Sequence, residues 1–183
     1  MESYLDSLYK KNVLIVAAAG NAGDSQKAYP ASYDSVISVA SIGYTKLRSP
    51  FSQYNNQIEL SAPGSSVYST TPGSSYSYKS GTSMAVPHVT GVAALLRMAF
   101  PECSNIQIRK VLAYTAKDLE KKGCDEKTGH GLVRGNKAYE FLEKYRCGAL
   151  EGKPDGGCYK VTLKEKNIMR NEVSNKKKKK KKS

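Results

Sequence analysis

Apolar residues recur along this chain at two spacings, and the switching between them predicts its elements. Residues 2–11 place Tyr4, Leu5, Leu8 and Tyr9 at helical spacing, which predicts a short helix with one apolar face, ended by Asn12. The run Val13-Leu14-Ile15-Val16-Ala17-Ala18 contains no polar residue and starts β-branched, as in a parallel strand buried on both faces. Val36-Ile37-Ser38-Val39-Ala40 reads as a second buried strand, and Ile58-Glu59-Leu60 and Val67-Tyr68-Ser69-Thr70 as shorter ones. The alternation of Ser, Gly and Tyr from Gly73 to Ser80 suits a hairpin or an exposed loop.

From Thr82 onward the period lengthens. Val89, Val92, Ala93 and Leu96, with small Gly91 and Ala94, predict a tightly packed helix whose Pro87 is tolerable only because it falls near the start. Residues 105–116 carry Ile108, Val111 and Leu112 on one side, 129–133 form a short extended segment, and 136–145 turn Ala138, Phe141 and Leu142 inward as a last helix. This alternation predicts an α/β domain with a mostly parallel sheet. Because the chain opens with a helix feeding a buried strand, the sheet is expected to lack its N-terminal strands.

Length and composition leave that picture intact. At 183 residues and 39% hydrophobic content the chain suits one domain with a real core. No apolar run approaches the roughly 20 residues of a membrane span, and the first residues lack the basic and apolar regions of a signal peptide, so a leader is expected upstream if the protein is secreted. The net charge of +13 looks like a nucleic-acid footprint, but Lys176 to Lys182 supply more than half of it and the remaining surplus shows no clear basic face. Residues 171–183 are expected to be a disordered lysine-rich tail, since a homopolymeric charge run repels itself and buries nothing; translation of an adenine tract would produce the same run. The cysteines, Cys103, Cys124, Cys147 and Cys158, have no CxxC spacing and favour disulfides in an oxidising compartment. Four cysteines allow three pairings, with Cys103 to Cys124 and Cys147 to Cys158 the preferred one, and four unpaired buried thiols in a cytosolic protein are the alternative.

The candidate chemistry lies at Gly81-Thr82-Ser83-Met84-Ala85-Val86-Pro87-His88. A serine between small residues at the mouth of a helix meets unpaired N–H groups and a partial positive charge, which suit an oxyanion forming beside it. The plainer role for such a serine is an N-cap. A hydroxyl nucleophile also needs a base. His88 is five residues away on the same helix, so its side chain is carried away from Ser83, and His130, between two glycines, suits packing or hydrogen bonding.

The blocks Val16-Ala17-Ala18-Ala19-Gly20-Asn21, Tyr29-Pro30-Ala31, Leu60-Ser61-Ala62-Pro63-Gly64 and Gly81-Thr82-Ser83-Met84-Ala85 with Pro87-His88-Val89, in that order, resemble the subtilisin-like serine proteases, or subtilases. The resemblance covers about residues 12–141 and implies a subtilisin-like three-layer α/β sandwich. It makes Ser83 the acylating nucleophile and Asn21 the side-chain donor to the oxyanion, a donor whose loss costs about a hundredfold to a thousandfold in turnover, a magnitude borrowed from subtilisin itself. It implies a substrate pocket walled by Ala18, Ala19 and Gly20 and floored near Ala28, roomy, apolar and without an acidic wall residue. The family's aspartate and histidine precede its serine. No histidine precedes His88 here, and none of Glu2, Asp6, Asp24 and Asp34 sits in the aspartate block.

The expectation is therefore the serine-bearing C-terminal portion of a secreted endopeptidase acting on protein or peptide substrates, monomeric when complete and inactive or nearly so alone. No cofactor is expected for the chemistry; structural calcium is common in the family, though no ligand loop is legible. Residues 1–146 would form the partial catalytic domain and 147–170 a Cys- and Gly-containing extension. Two rivals remain: a non-catalytic binding module with the same fold, and a basic nucleic-acid binder resting on the lysine tail alone.

Overall fold

A computed structural model describes residues 1–151 of the chain. Helix α1 (Glu2–Lys10) leads into β1 (Ile15–Ala18), which pairs in parallel with β2 (Val36–Ile42), itself parallel to β3 (Ile58–Pro63). All seven residues of β2 are buried, as expected for a strand covered on both faces and paired on both edges. Strands β4 (Val67–Thr71) and β5 (Ser75–Lys79) form a separate antiparallel hairpin, so the Ser/Gly/Tyr stretch is a hairpin strand.

Helices α2 (Thr82–Ala99), α3 (Asn105–Thr115) and α4 (Gly135–Tyr145) share one apolar cluster with the sheet. Ile37 and Val39 of β2 and Leu60 and Ala62 of β3 meet Val89, Ala93 and Leu96 of α2, Ile108, Val111 and Leu112 of α3, and Ala138 and Leu142 of α4. The opposite sheet face holds a small cluster of Ala19, Ala40 and Ile58. Helix α3 starts with a reciprocal cap: the Ser104 hydroxyl accepts from the Gln107 N–H while the Gln107 side chain accepts from the Ser104 N–H. Asn105 then ties α1 down, its Nδ2 donating to the carbonyls of Tyr9 (2.7 Å) and Val13 (2.9 Å).

Two buried polar features hold the sheet to its surroundings. Arg109 of α3 makes a bidentate pair with Glu59 of β3, Nε to Oε1 at 2.7 Å and Nη2 to Oε2 at 2.5 Å, and its Nη1 donates to the Asp34 carbonyl. Both partners are almost fully buried, so the pair holds only because its donors and acceptors are matched. Toward the carboxyl end of β2, the Ser41, Ser49 and Ser65 hydroxyls form a chain of hydrogen bonds at 2.8 and 2.7 Å.

Three expectations change. The strand expected to be buried on both faces is only half-buried along all of β1, because among the described residues its outer edge faces no strand. The disulfide joins Cys103 to Cys147, which replaces both expected pairings. These cysteines follow α2 and α4, 44 residues apart, and meet because α3 packs between those helices and the turn Cys147–Leu150; Cys124 is disulfide-bonded too. That turn, assigned by sequence to an extension, packs into the main core through Leu150 and Cys147. The rest of the expected extension, Cys158 and the lysine tail lie outside the described residues.

Candidate active site

Helix α2 begins at Thr82 with Gly81, which has no side chain to cap it, in extended conformation at its N-cap. The exposed Ser83 therefore stands in the first turn, where backbone N–H groups have no intrahelical acceptor. Asn21 follows β1, beyond the carboxyl end of the strand, where ligands of parallel sheets are bound. Its Oδ1 accepts two hydrogen bonds from Thr82, from the N–H and from the hydroxyl, each 2.9 Å. Since Oδ1 is occupied twice, the orientation of the amide is determined and Nδ2 is turned outward as a donor.

Asn21 and Ser83 converge at Gly81. The point where a Cβ on Gly81 would sit lies 3.5 Å from Asn21 Nδ2 and 3.8 Å from the Ser83 backbone nitrogen. Both nitrogens thus lie on the side of Gly81 where a side chain would stand, with Met84 Sδ 3.6 Å from the same point.

The substrate-pocket residues divide by strand alternation. Gly20, at φ +111, adopts a backbone conformation that favours glycine, and a Cβ there would come within 3.3 Å of the Ala28 Cβ, so Gly20 and Ala28 adjoin. Ala19 instead packs with Ala40 and Ile58 on the other face, while half-buried Ala18 shares the Gly20 side. Of the residues expected to wall the pocket, Ala18 and Gly20 therefore share one side with Ala28, and the Ala19 side chain is on the other. The bond between Tyr29 and Pro30, beyond Ala28, is cis.

Among the described residues no histidine is hydrogen-bonded to the serine. His88 is exposed with its Nδ1 at 3.0 Å from the Met84 carbonyl one turn back, and among the described residues the Ser83 hydroxyl has no hydrogen-bond partner. The His130 backbone donates to the Glu59 carbonyl, which places it under β3. Sequence reasoning missed Thr82. It stood inside the quoted motif, and asking what could orient the Asn21 amide would have singled it out, because Thr82 offers both a hydroxyl and a first-turn N–H to one acceptor.

Among the described residues, the metal-capable side chains that cluster are Glu102, Cys103 and Cys147. With both cysteines in a disulfide the group offers a single carboxylate and does not fit the several oxygens calcium takes. No helix among the described residues is long and apolar enough to cross a membrane.

Residues 1–131 match the model of the subtilase family of peptidases. The chain belongs to the subtilase family. It is 43% identical over 138 residues to subtilisin BL of Lederbergia lenta, covering 75% of this chain and 50% of that protein. It is 44% identical over 137 residues to subtilisin DY of Bacillus licheniformis, covering 73% and 49%. The fold is similar to that of the subtilisin-like protease Apa1 of an Antarctic Pseudoalteromonas, with a TM-score of 0.74 at 23% identity over 80% of this chain and 67% of that one. A lanthipeptide protease gives 0.72 at 28% identity, over 77% and 54%. The chain thus spans about half or less of the length of the curated relatives it matches. Subtilases are serine endopeptidases, and their chemistry needs no cofactor.

Proposed function

We propose that this chain is the serine-bearing part of a subtilisin-like endopeptidase that hydrolyses peptide bonds through an acyl-enzyme on Ser83. The observation that carries the reading is the convergence of Asn21 Nδ2 and the Ser83 N–H on the space at Gly81. Ser83 Oγ adds to the scissile carbonyl carbon as its proton passes to a base; the carbonyl oxygen becomes an oxyanion held by the two donors; collapse breaks the C–N bond and releases a protonated amine. Water then attacks the acyl group and frees the serine. The substrate residue before the cut enters the Ala18, Gly20 and Ala28 pocket, whose small apolar walls favour a large hydrophobic side chain.

The base and its orienting aspartate come, in this reading, from polypeptide outside these residues. Support comes from the outer side of α2, where Ser83, Pro87, Thr90, Gly91, Ala94, Leu95 and Met98 run in one exposed, uncharged stripe, and from the edge of β1 that pairs with no strand among the described residues. Disulfides support an oxidising, extracellular setting.

The test joins this chain to a polypeptide carrying subtilase aspartate and histidine blocks and measures cleavage of a peptide with phenylalanine before the scissile bond. Turnover is expected in the mixture, near none from the chain alone, and none with Ser83→Ala. Peptide binding without turnover in the mixture would refute the protease reading in favour of a non-catalytic binding module.

A further inference from the structure

Asn21 is exposed at a strand end, and the geometry of its Nδ2 rests on how Gly20 is held. We propose that Gln53 is the positioning residue that keeps this oxyanion donor in register with Ser83, acting through Gly20. The proposal rests on the roles assigned to Asn21 and Ser83 above.

Gln53 is a polar residue between strands, yet it is 7% exposed. Its amide fills the space a side chain on Gly20 would take: a Cβ there would lie 1.6 Å from Gln53 Oε1 and 2.5 Å from its Cδ. The two residues also interlock through hydrogen bonds. The Gln53 backbone N–H donates to the Gly20 carbonyl (3.0 Å), and its Nε2 donates to the Gln26 carbonyl (2.8 Å), which Asn55 Nδ2 also reaches at 3.1 Å. The next residue, Tyr54, donates from its backbone to the Asp24 carbonyl. The turn bearing Asn21 is therefore stitched at residues 20, 24 and 26 to residues 53–55.

That stitching closes a circuit. On one side Gly20 donates its N–H to Thr82 Oγ1 (3.3 Å), and the same hydroxyl donates to Asn21 Oδ1. On the other, the fully buried Ser52 hydroxyl accepts from the Ser41 N–H of β2 and contacts the Gln53 carbonyl, so Gln53 is referenced to the central strand. Gly81, beside the nucleophile, donates to the Gly64 carbonyl at 2.8 Å at the end of β3. Asn21 and Ser83 thus take their relative position from the sheet by two routes, and Gln53 is the side chain that completes the Asn21 route. Loss of its side-chain amide leaves the backbone bond to the Gly20 carbonyl but removes the tie to the Gln26 carbonyl and the amide packed against Gly20, which loosens the turn bearing Asn21, and an ångström of displacement in a catalytic group costs up to about a hundredfold in rate.

The test uses the 183-residue chain, 15N-labelled, and reads the Asn21 side-chain amide pair, assigned by its disappearance in Asn21→Asp. Gln53→Leu keeps bulk and removes the side-chain hydrogen bond. It is expected to shift the Asn21 pair and the Thr82 backbone amide while leaving the resonances of α3 and α4 in place. In Gln53→Glu the shift is expected at neutral pH, where a carboxylate cannot donate to the Gln26 carbonyl, and should reverse as acid restores a donating hydroxyl. Unmoved Asn21 and Thr82 resonances in folded Gln53→Leu overturn the proposal; should that variant unfold, failure of Gln53→Glu to shift at neutral pH overturns it. In the joined protease, Gln53→Leu should lower kcat about tenfold to a hundredfold with KM little changed, and a loss confined to KM also overturns it. Absence of turnover in the joined wild type counts against the protease reading, and the resonances decide the role of Gln53 separately.

Discussion

The two sides of α2 obey different rules. Thr82, Ala85, Val89, Ala93 and Leu96 face the sheet and are buried, whereas Ser83, Pro87, Thr90, Gly91, Ala94, Leu95 and Met98 face out. A helix with one solvated side ordinarily carries charge there. This one carries none along that stripe, and Leu95 and Met98 are 61% and 75% exposed. The inner side has been matched to β1, β2 and β3, and the outer side has the composition of a surface meant to be covered.

The sharpest way to break the inner side is through the ion pair that locks α3 against β3. Arg109→Met leaves the Glu59 carboxylate buried without its cation, and unfolding in denaturant is expected to show a loss of about 3–5 kcal/mol. A loss below 1 kcal/mol would mean that the carboxylate finds water or a proton. On α2 itself, Leu96→Ala is expected to cost about 2–4 kcal/mol by emptying part of the shared core. The outer side should respond least: Leu95→Lys with Met98→Lys is expected to alter the stability of this chain by no more than about 0.5 kcal/mol each, as at unconstrained surface positions. The same pair should abolish assembly with the polypeptide that supplies the base. A large destabilisation of the isolated chain would show that the outer stripe is already packed in solution.

The same asymmetry explains what was legible in the sequence. Helix α3 was readable because the spacing of Ile108, Val111 and Leu112 and its start at Asn105 are local signals, and the strands because their apolar runs are short and bounded by turns. The run before Gly20 was read as buried on both faces, and its composition does suit that. Apolarity reports the cover a strand is suited to, and in the described residues that cover is absent. The Cys103–Cys147 bond joins residues brought together by how α3 and α4 pack, which no spacing encodes. The Glu59–Arg109 pair, 50 residues apart, left no pattern either.

Ser83 and Asn21 stand out in the sequence through a resemblance, and in the fold Asn21 Nδ2 and the Ser83 nitrogen lie on one side of Gly81. Thr82 and Gln53 do not stand out, since each works by orienting a neighbour. A threonine in a motif and a glutamine in a loop have bland alternatives everywhere, and only the doubly accepted Asn21 oxygen and the glycine against the glutamine amide single them out.

Gly81 has a consequence for anyone who wishes to alter this site. Its backbone is extended and a Cβ there would meet only ordinary contacts at 3.5 to 3.8 Å, so the fold would accept a side chain, and what that side chain takes is the space beside Asn21 Nδ2 and the Ser83 nitrogen. Redesign must then work from the perimeter, at residues such as Ala28, where side chains can be enlarged or exchanged while the centre is left empty.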